Sequence, residues 1–288
     1  MRKTKHPDNQ GKCCDAVLRI LEERLGRSRS DLQFPELEEH AARVELACRI
    51  GGNSFALEHT KLLAYPDQIQ DGVNFLKALA PLEHDLSGRL PKTGSFMLIV
   101  PWLAFRGLST KEAVRIREVI AAWVLEVAPT MKLNGRGCAT TMATPRGVPF
   151  PVSIDAWVGP QDSPGTFRIA RREPPDLEAM RLTAAGKALA DKLPKLRVWS
   201  EFGAKSVLIL ETEDVTLANH HGKAIAALQQ LLPMDGYVPD YVFFVYAQTA
   251  PWLVQTLVME RTIWSEADIL RWPSYQQFDP SGLIDAAP

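Results

Sequence analysis

Two carboxylates, Glu45 and Glu58, flank a glycine turn, Gly51-Gly52-Asn53. Before the turn Val44, Leu46, Cys48 and Ile50 alternate with polar or small residues, and beyond it the run Ser54 to Thr60 restarts the alternation. Two alternating runs joined by such a turn predict a β-hairpin. With a side-chain period of two, Glu58 and Thr60 share one face of the second strand, and Phe55, Leu57 and His59 take the other. Acids on neighbouring strands can converge. Mg²⁺ takes oxygen ligands from one or two carboxylates and keeps waters, which leaves positions for phosphate oxygens and an attacking water. The chemistry such a pair could do is metal-dependent cleavage of phosphodiesters.

These residues resemble the PD-(D/E)XK, or restriction-endonuclease-like, nuclease superfamily, in which an acid on one strand is followed by Glu-x-Lys on the next, with helices flanking the meander. The resemblance covers residues 33–101. Glu45 and the Glu58 of Glu58-His59-Thr60 match the two acidic positions, and a helix over Asp67–Leu86 and a strand Phe96–Val100 follow in the family's core order. It implies Mg²⁺ or Mn²⁺ held by Glu45 and Glu58, and nucleic acid as substrate. Thr60 stands where the family has lysine, and a neutral hydroxyl cannot stabilise developing negative charge as an ammonium does. Related families bring a basic group from the adjoining helix, but no substitute is legible here: Lys61 points to the opposite face and Lys77 lies far along the following helix. Gln68, near the start of that helix, resembles the glutamine that some members add to the site. Thr60 and Gln68 are thus read as orienting water or phosphate, and Glu36, Glu38 and Glu39 as sources of a third acid. His59 reads as a core histidine with one satisfied nitrogen, because an unpaired buried polar group is costly.

A second group is basic. Between Thr166 and Lys205 nine Lys or Arg stand against five acids. Arg168, Arg171, Arg172, Lys187, Lys192 and Lys195 form a candidate track for a phosphate backbone, and the competing reading is an ordinary solvated helix surface. His220-His221 with Glu211, Glu213 and Asp214 suggests a metal only weakly, since adjacent histidines diverge by about 100° on a helix. Gly-x-Gly at 135–137 lacks a phosphate-loop lysine, and Cys138 has no identifiable histidine partner. Cys13, Cys14, Cys48 and Cys138 show no C-x-x-C spacing, so no zinc ribbon or disulfide framework is readable.

The elements that must position these residues alternate between helix and strand. An apolar stripe of Val17, Ile20, Leu21 and Leu25 predicts a helix ended by Gly26, with Arg27–Ser30 as a linker. Ser109 and Glu112 have capping-box spacing at the head of a helix that Pro129 ends. Residues 130–175 offer only short strand candidates, Val152–Val158 and Thr166–Ala170. A helix from Asp176 to Leu193, a strand Val207–Leu210, a helix from Asn219 to Leu232 and a strand Tyr241–Val245 complete the pattern. Pro81 is expected to kink or interrupt the last turns of its helix.

The fold class is therefore α/β: a mixed sheet with flanking helices, a restriction-endonuclease-like core and a C-terminal α/β extension. The expected organisation is a basic N-terminal extension over 1–30, a nuclease-like core over 31–130, and a C-terminal portion over 131–288 that extends the same sheet or forms a second layer. At 288 residues and 46% hydrophobic the chain buries a sizeable core, and a net charge of −1 excludes general polyanion binding, so nucleic-acid contact is confined to a local patch. No apolar run reaches the roughly 20 residues of a membrane span, no signal-peptide pattern is present, and a cytoplasmic location without membrane partners is expected. Two other classes compete with the nuclease. One is a binding or scaffolding subunit with an incomplete site. The other is an α/β enzyme for a small substrate, with its pocket at the carboxyl ends of strands around Leu210 and Val245.

Overall fold

A computed structural model describes residues 9–35, 43–63, 65, 67–133, 138–158, 165–212, 221–265 and 275–285. The chain divides into two compact units, one built from 1–65 with 177–288 and the other from 66–176. Both are mixed α/β.

The first unit starts with helix α1 (Gln10–Leu25), whose stripe of Val17, Leu18 and Leu21 is buried and whose end is set by Gly26 at φ 62°. A left-handed residue there is what glycine tolerates best. The segment after it is not a linker. Residues Arg29–Gln33 form strand β1, and the Arg29 guanidinium lies 2.7 Å from Asp15 and 3.0 Å from Glu22 of α1, which fastens strand to helix. Strands β2 (Leu46–Ile50) and β3 (Asn53–Lys61) make the expected hairpin, with Ile50 opposite Asn53 and Leu46 opposite Leu57. Gly51 and Gly52 both take positive φ, as the tight turn requires.

The remainder of the first unit comes from the C-terminal half. Helix α4 (Leu177–Glu201) leads to β8 (Lys205–Thr212), which lies parallel to β3 with Glu58 opposite Leu208. Helix α5 (His221–Leu231) leads to β9 (Tyr241–Tyr246), parallel to β8, and β10 (Trp252–Met259) returns antiparallel. The short strands β11 (Thr262–Ile263) and β12 (Tyr275–Phe278) pair with β10, and the sheet order is β1-β2-β3-β8-β9-β10-β11. One face packs on α1 through Phe55, Leu57, Val207, Ile209 and Phe243. The alternate residues of β3 face α4.

The second unit holds α2 (Gln68–Leu86), β4 (Ser95–Pro101), α3 (Thr110–Val127), β5 (Cys138–Ala143), β6 (Val152–Trp157) and β7 (Phe167–Arg172). Its sheet order is β5-β6-β4-β7, antiparallel except for the parallel pair β4 and β7. Ser109 caps α3 in a complete capping box with Glu112. Pro81 lies within α2 without ending it.

Here the expected core order needs correction. The strand Phe96–Val100 is central, but in this second sheet and not beside the hairpin; the parallel neighbour of β3 is β8, reached through α4. A continuous apolar run reports that a strand is buried on both faces and says nothing of which sheet buries it. Helix α4 also passes through Pro194 and continues to Glu201, beyond the end expected near Leu193. The positions 36–42, 134–137 and 213–220, on which the third acid, the Gly-x-Gly and most of the His220 cluster fall, lie outside the described residues.

Candidate functional site

Glu45 immediately precedes β2 and Glu58 sits in the middle of β3, so the hairpin register brings both to the α4 side of the sheet. What stands between them is an ammonium. Lys192 Nζ of α4 lies 2.7 Å from Glu45 Oε1 and 2.7 Å from Glu58 Oε2. Lys195, one helical turn on, places its Nζ 3.3 Å from Glu58 Oε1. The other oxygen of Glu45 accepts the backbone N–H of His59 at 2.6 Å. That donor lies past the point where the β2–β3 ladder ends, so the carboxylate supplies the bond that a strand partner would otherwise make.

The group is enclosed. Glu58 is fully buried, and the side chains of Glu45, Lys192 and Lys195 are 8%, 16% and 33% exposed. Burial pushes the Glu58 carboxyl up to about 7; the hydrogen bond from Lys192 pulls it down, and the negative charge of Glu45 adds to the rise. Burial acts to lower Lys192, but its bonds to Glu45 and Glu58 outweigh that and raise it to about 12. Two carboxylates and two ammoniums make the centre formally neutral. A buried charge set persists only when paired in this way.

The lysine that meets the two acids thus arrives from α4 and not from the Glu58-His59-Thr60 stretch. A signal for it was present in the sequence. Ala185, Ala188, Leu189, Leu193 and Leu196 form the buried stripe of α4, and Lys192 falls inside that stripe by helical spacing. A charge within an apolar stripe demands a buried partner. Its place in a run of basic residues concealed this.

On the α1 side of β3, His59 is buried and its Nε2 meets Glu211 Oε2 of β8 at 2.8 Å. The other Glu211 oxygen, Oε1, accepts from Asn9 Nδ2 at 3.0 Å, and Lys61 Nζ lies 3.6 Å away. Burial acts to raise the Glu211 carboxyl, but His59, Asn9 and Lys61 together lower it. Cys13 of α1 is fully buried beside it; burial first, and the Glu211 charge next, push its thiol well up. Cys13, His59 and Glu211 have no sequence pattern in common, since each comes from a different element.

The remaining candidates are dispersed. Thr60 lies on the Glu58 face of β3, half-buried. Gln68 opens α2 in the second unit and is buried there. Of the six basic residues, Arg168, Arg171 and Arg172 belong to β7 of the second unit and Lys187, Lys192 and Lys195 to α4 of the first. Arg171 pairs with Asp71 at 3.0 Å over the Phe75 ring, and Arg172 donates to Ser153 Oγ. Arg168 and Lys187 are exposed. Beyond the ends of β8 and β9 a cavity of about 200 Å³ is lined by Thr212, Tyr246, Gln248, Thr249, Pro251, Leu253 and Tyr275. It is smaller than the roughly 300 Å³ at which ligand pockets begin. Among the described residues no helix is long and apolar enough to cross a membrane.

The chain matches no family model, no curated protein and no solved structure.

Proposed function

We propose that the first unit is a metal-dependent nuclease of the PD-(D/E)XK type, with Glu45, Glu58 and Lys192 as its catalytic group. The observation that carries the reading is the meeting of two carboxylates, one on β3 and one just ahead of β2, on one point, Lys192 Nζ, within 2.7 Å of each. The donors are hard carboxylate oxygens, which fits Mg²⁺ or Mn²⁺ by ligand type. Glu45 and Glu58 would hold such an ion, which when bound polarises a phosphoryl oxygen and lowers the pKa of water. Lys192, and Lys195 beside it, then serve the role of the family's strand lysine: an ammonium next to the acids stabilises charge that develops on the phosphate. The α4 origin of Lys192 agrees with the habit of related families that draw this group from a helix. Thr60, on the same face, orients water or phosphate, and exposed Lys187 contacts the nucleic-acid backbone.

A second reading has an observation in its favour. The two acids are already neutralised by Lys192 and Lys195, so the same core could serve as a binding or scaffolding subunit without metal. One experiment separates the two. Purified protein with Mg²⁺ or Mn²⁺ is expected to nick or degrade DNA or RNA, and Glu58→Gln and Lys192→Met are each expected to abolish this while the protein stays folded. Absence of cleavage by wild type on both substrates, together with no calorimetric Mn²⁺ binding, would establish the subunit reading instead.

A further inference from the structure

The face of β3 opposite Glu58 carries a second group. Cys13 Sγ, a ring nitrogen of His59 and a carboxylate oxygen of Glu211 lie within 4.8 Å of one another, all three buried. We propose that these residues form a zinc site distinct from the Glu45–Glu58 centre. The inference stands whether or not the nuclease reading does.

Donor chemistry selects the ion. One sulfur, one imidazole nitrogen and one carboxylate oxygen suit a borderline-soft ion and disfavour Mg²⁺ or Ca²⁺, which take oxygen alone. Tetrahedral zinc, with bonds of ~2.0–2.3 Å, sets its donors ~3.3–3.7 Å apart. The His59–Glu211 contact of 2.8 Å is a proton-shared bond. Replacing that proton by an ion requires the pair to open by about half an ångström and Cys13 to close on it. Three protein ligands leave the fourth position to water.

The surroundings support an ion here. Asn9 Nδ2 donates to Glu211 Oε1, which leaves Oε2 as the single oxygen facing His59 and fixes the carboxylate's orientation. Lys61 reaches that same outer oxygen. Neither neighbour is fully buried, and they mark the side from which an ion can enter. A thiol–imidazole nucleophile accounts less well for the geometry. The hydrogen-bond partner of the Cys13 thiol is the Glu211 carboxylate, a weaker base than the imidazole such a pair would use. Zinc binding displaces the thiol proton and the proton between His59 and Glu211 to solvent.

The test uses the full chain stripped of metal. Titration with Zn²⁺ against a chromophoric chelator is expected to show one ion bound per chain, lost in Cys13→Ala and His59→Ala and retained in the Glu45→Gln/Glu58→Gln double variant. Co²⁺ added to wild type is expected to give a thiolate-to-cobalt charge-transfer band in the near ultraviolet, which a carboxylate centre cannot produce. This second measurement decides the matter even if the Cys13 variant fails to fold. Absence of that band, or zinc binding that survives Cys13→Ala, or that disappears in the Glu45/Glu58 double variant, would overturn the proposal.

Discussion

At the scale of single residues, Lys192 holds two acids that could not otherwise share a buried space. Removing an ammonium from such a set strands its partners, which for buried pairs costs about 3–5 kcal/mol. Lys192→Met is therefore expected to lose stability in that range in urea denaturation at pH 8. At that pH Glu58, raised to about 7, is mostly ionised. Lys192 is fully charged as well: an ammonium raised to about 12 contributes stability that is complete below its ordinary 10.5 and is lost only as pH rises through 12. In a Glu45→Gln/Glu58→Gln background the same substitution should cost far less, because the charges it would strand are gone. Equal losses in both backgrounds would mean that Lys192 acts by packing its stem and not by pairing.

Among elements, β3 does two jobs because it alternates. Phe55, Leu57 and His59 face α1, and Glu58 and Thr60 face the other side, where α4 supplies Lys192 and Lys195. The strand can carry separate chemistry on its two faces only while its register holds, and the Gly51-Gly52 turn fixes that register. In the second unit, α3 is specified from its first residue. Ser109 Oγ accepts the Glu112 backbone N–H at 3.2 Å, and the Glu112 carboxylate accepts the Ser109 backbone N–H at 2.8 Å. Ser109→Ala should lower the stability of that unit by about 1 kcal/mol, seen as an earlier urea midpoint without change in slope. An unchanged midpoint would show that the capping box is not populated in solution.

For the whole molecule, every residue of the Glu45–Glu58–Lys192–Lys195 centre and of the Cys13–His59–Glu211 group belongs to one unit, although residues 66–176 separate them in sequence. That intervening unit has its own core, with Phe96, Leu98, Val100, Ile154 and Phe167 of its sheet packed on Leu79, Leu82, Ile116 and Ile120 of α2 and α3. A segment with a private core and sheet can fold alone. Expressed by itself, 66–176 is expected to unfold in a single cooperative thermal transition, followed by circular dichroism. A gradual, non-cooperative melt would mean that its core depends on the rest of the chain.

Local rules were enough to read the hairpin, the α3 cap, the end of α1 and the face shared by Glu58 and Thr60, because turn chemistry, capping spacing and period-two alternation act within a few residues. They could not reveal that Phe96–Val100 leaves the hairpin's sheet, that β8 lies beside β3, or that Lys192 meets Glu45 and Glu58. Those outcomes depend on contacts between residues more than fifty positions apart, and such contacts are chosen by which buried surfaces and charges complement one another in three dimensions. The amino-acid sequence supplied two acids and a lysine with no visible relation. Packing of α4 on β3 decided that they meet, since a charge inside an apolar stripe can be buried only where opposite charges wait for it.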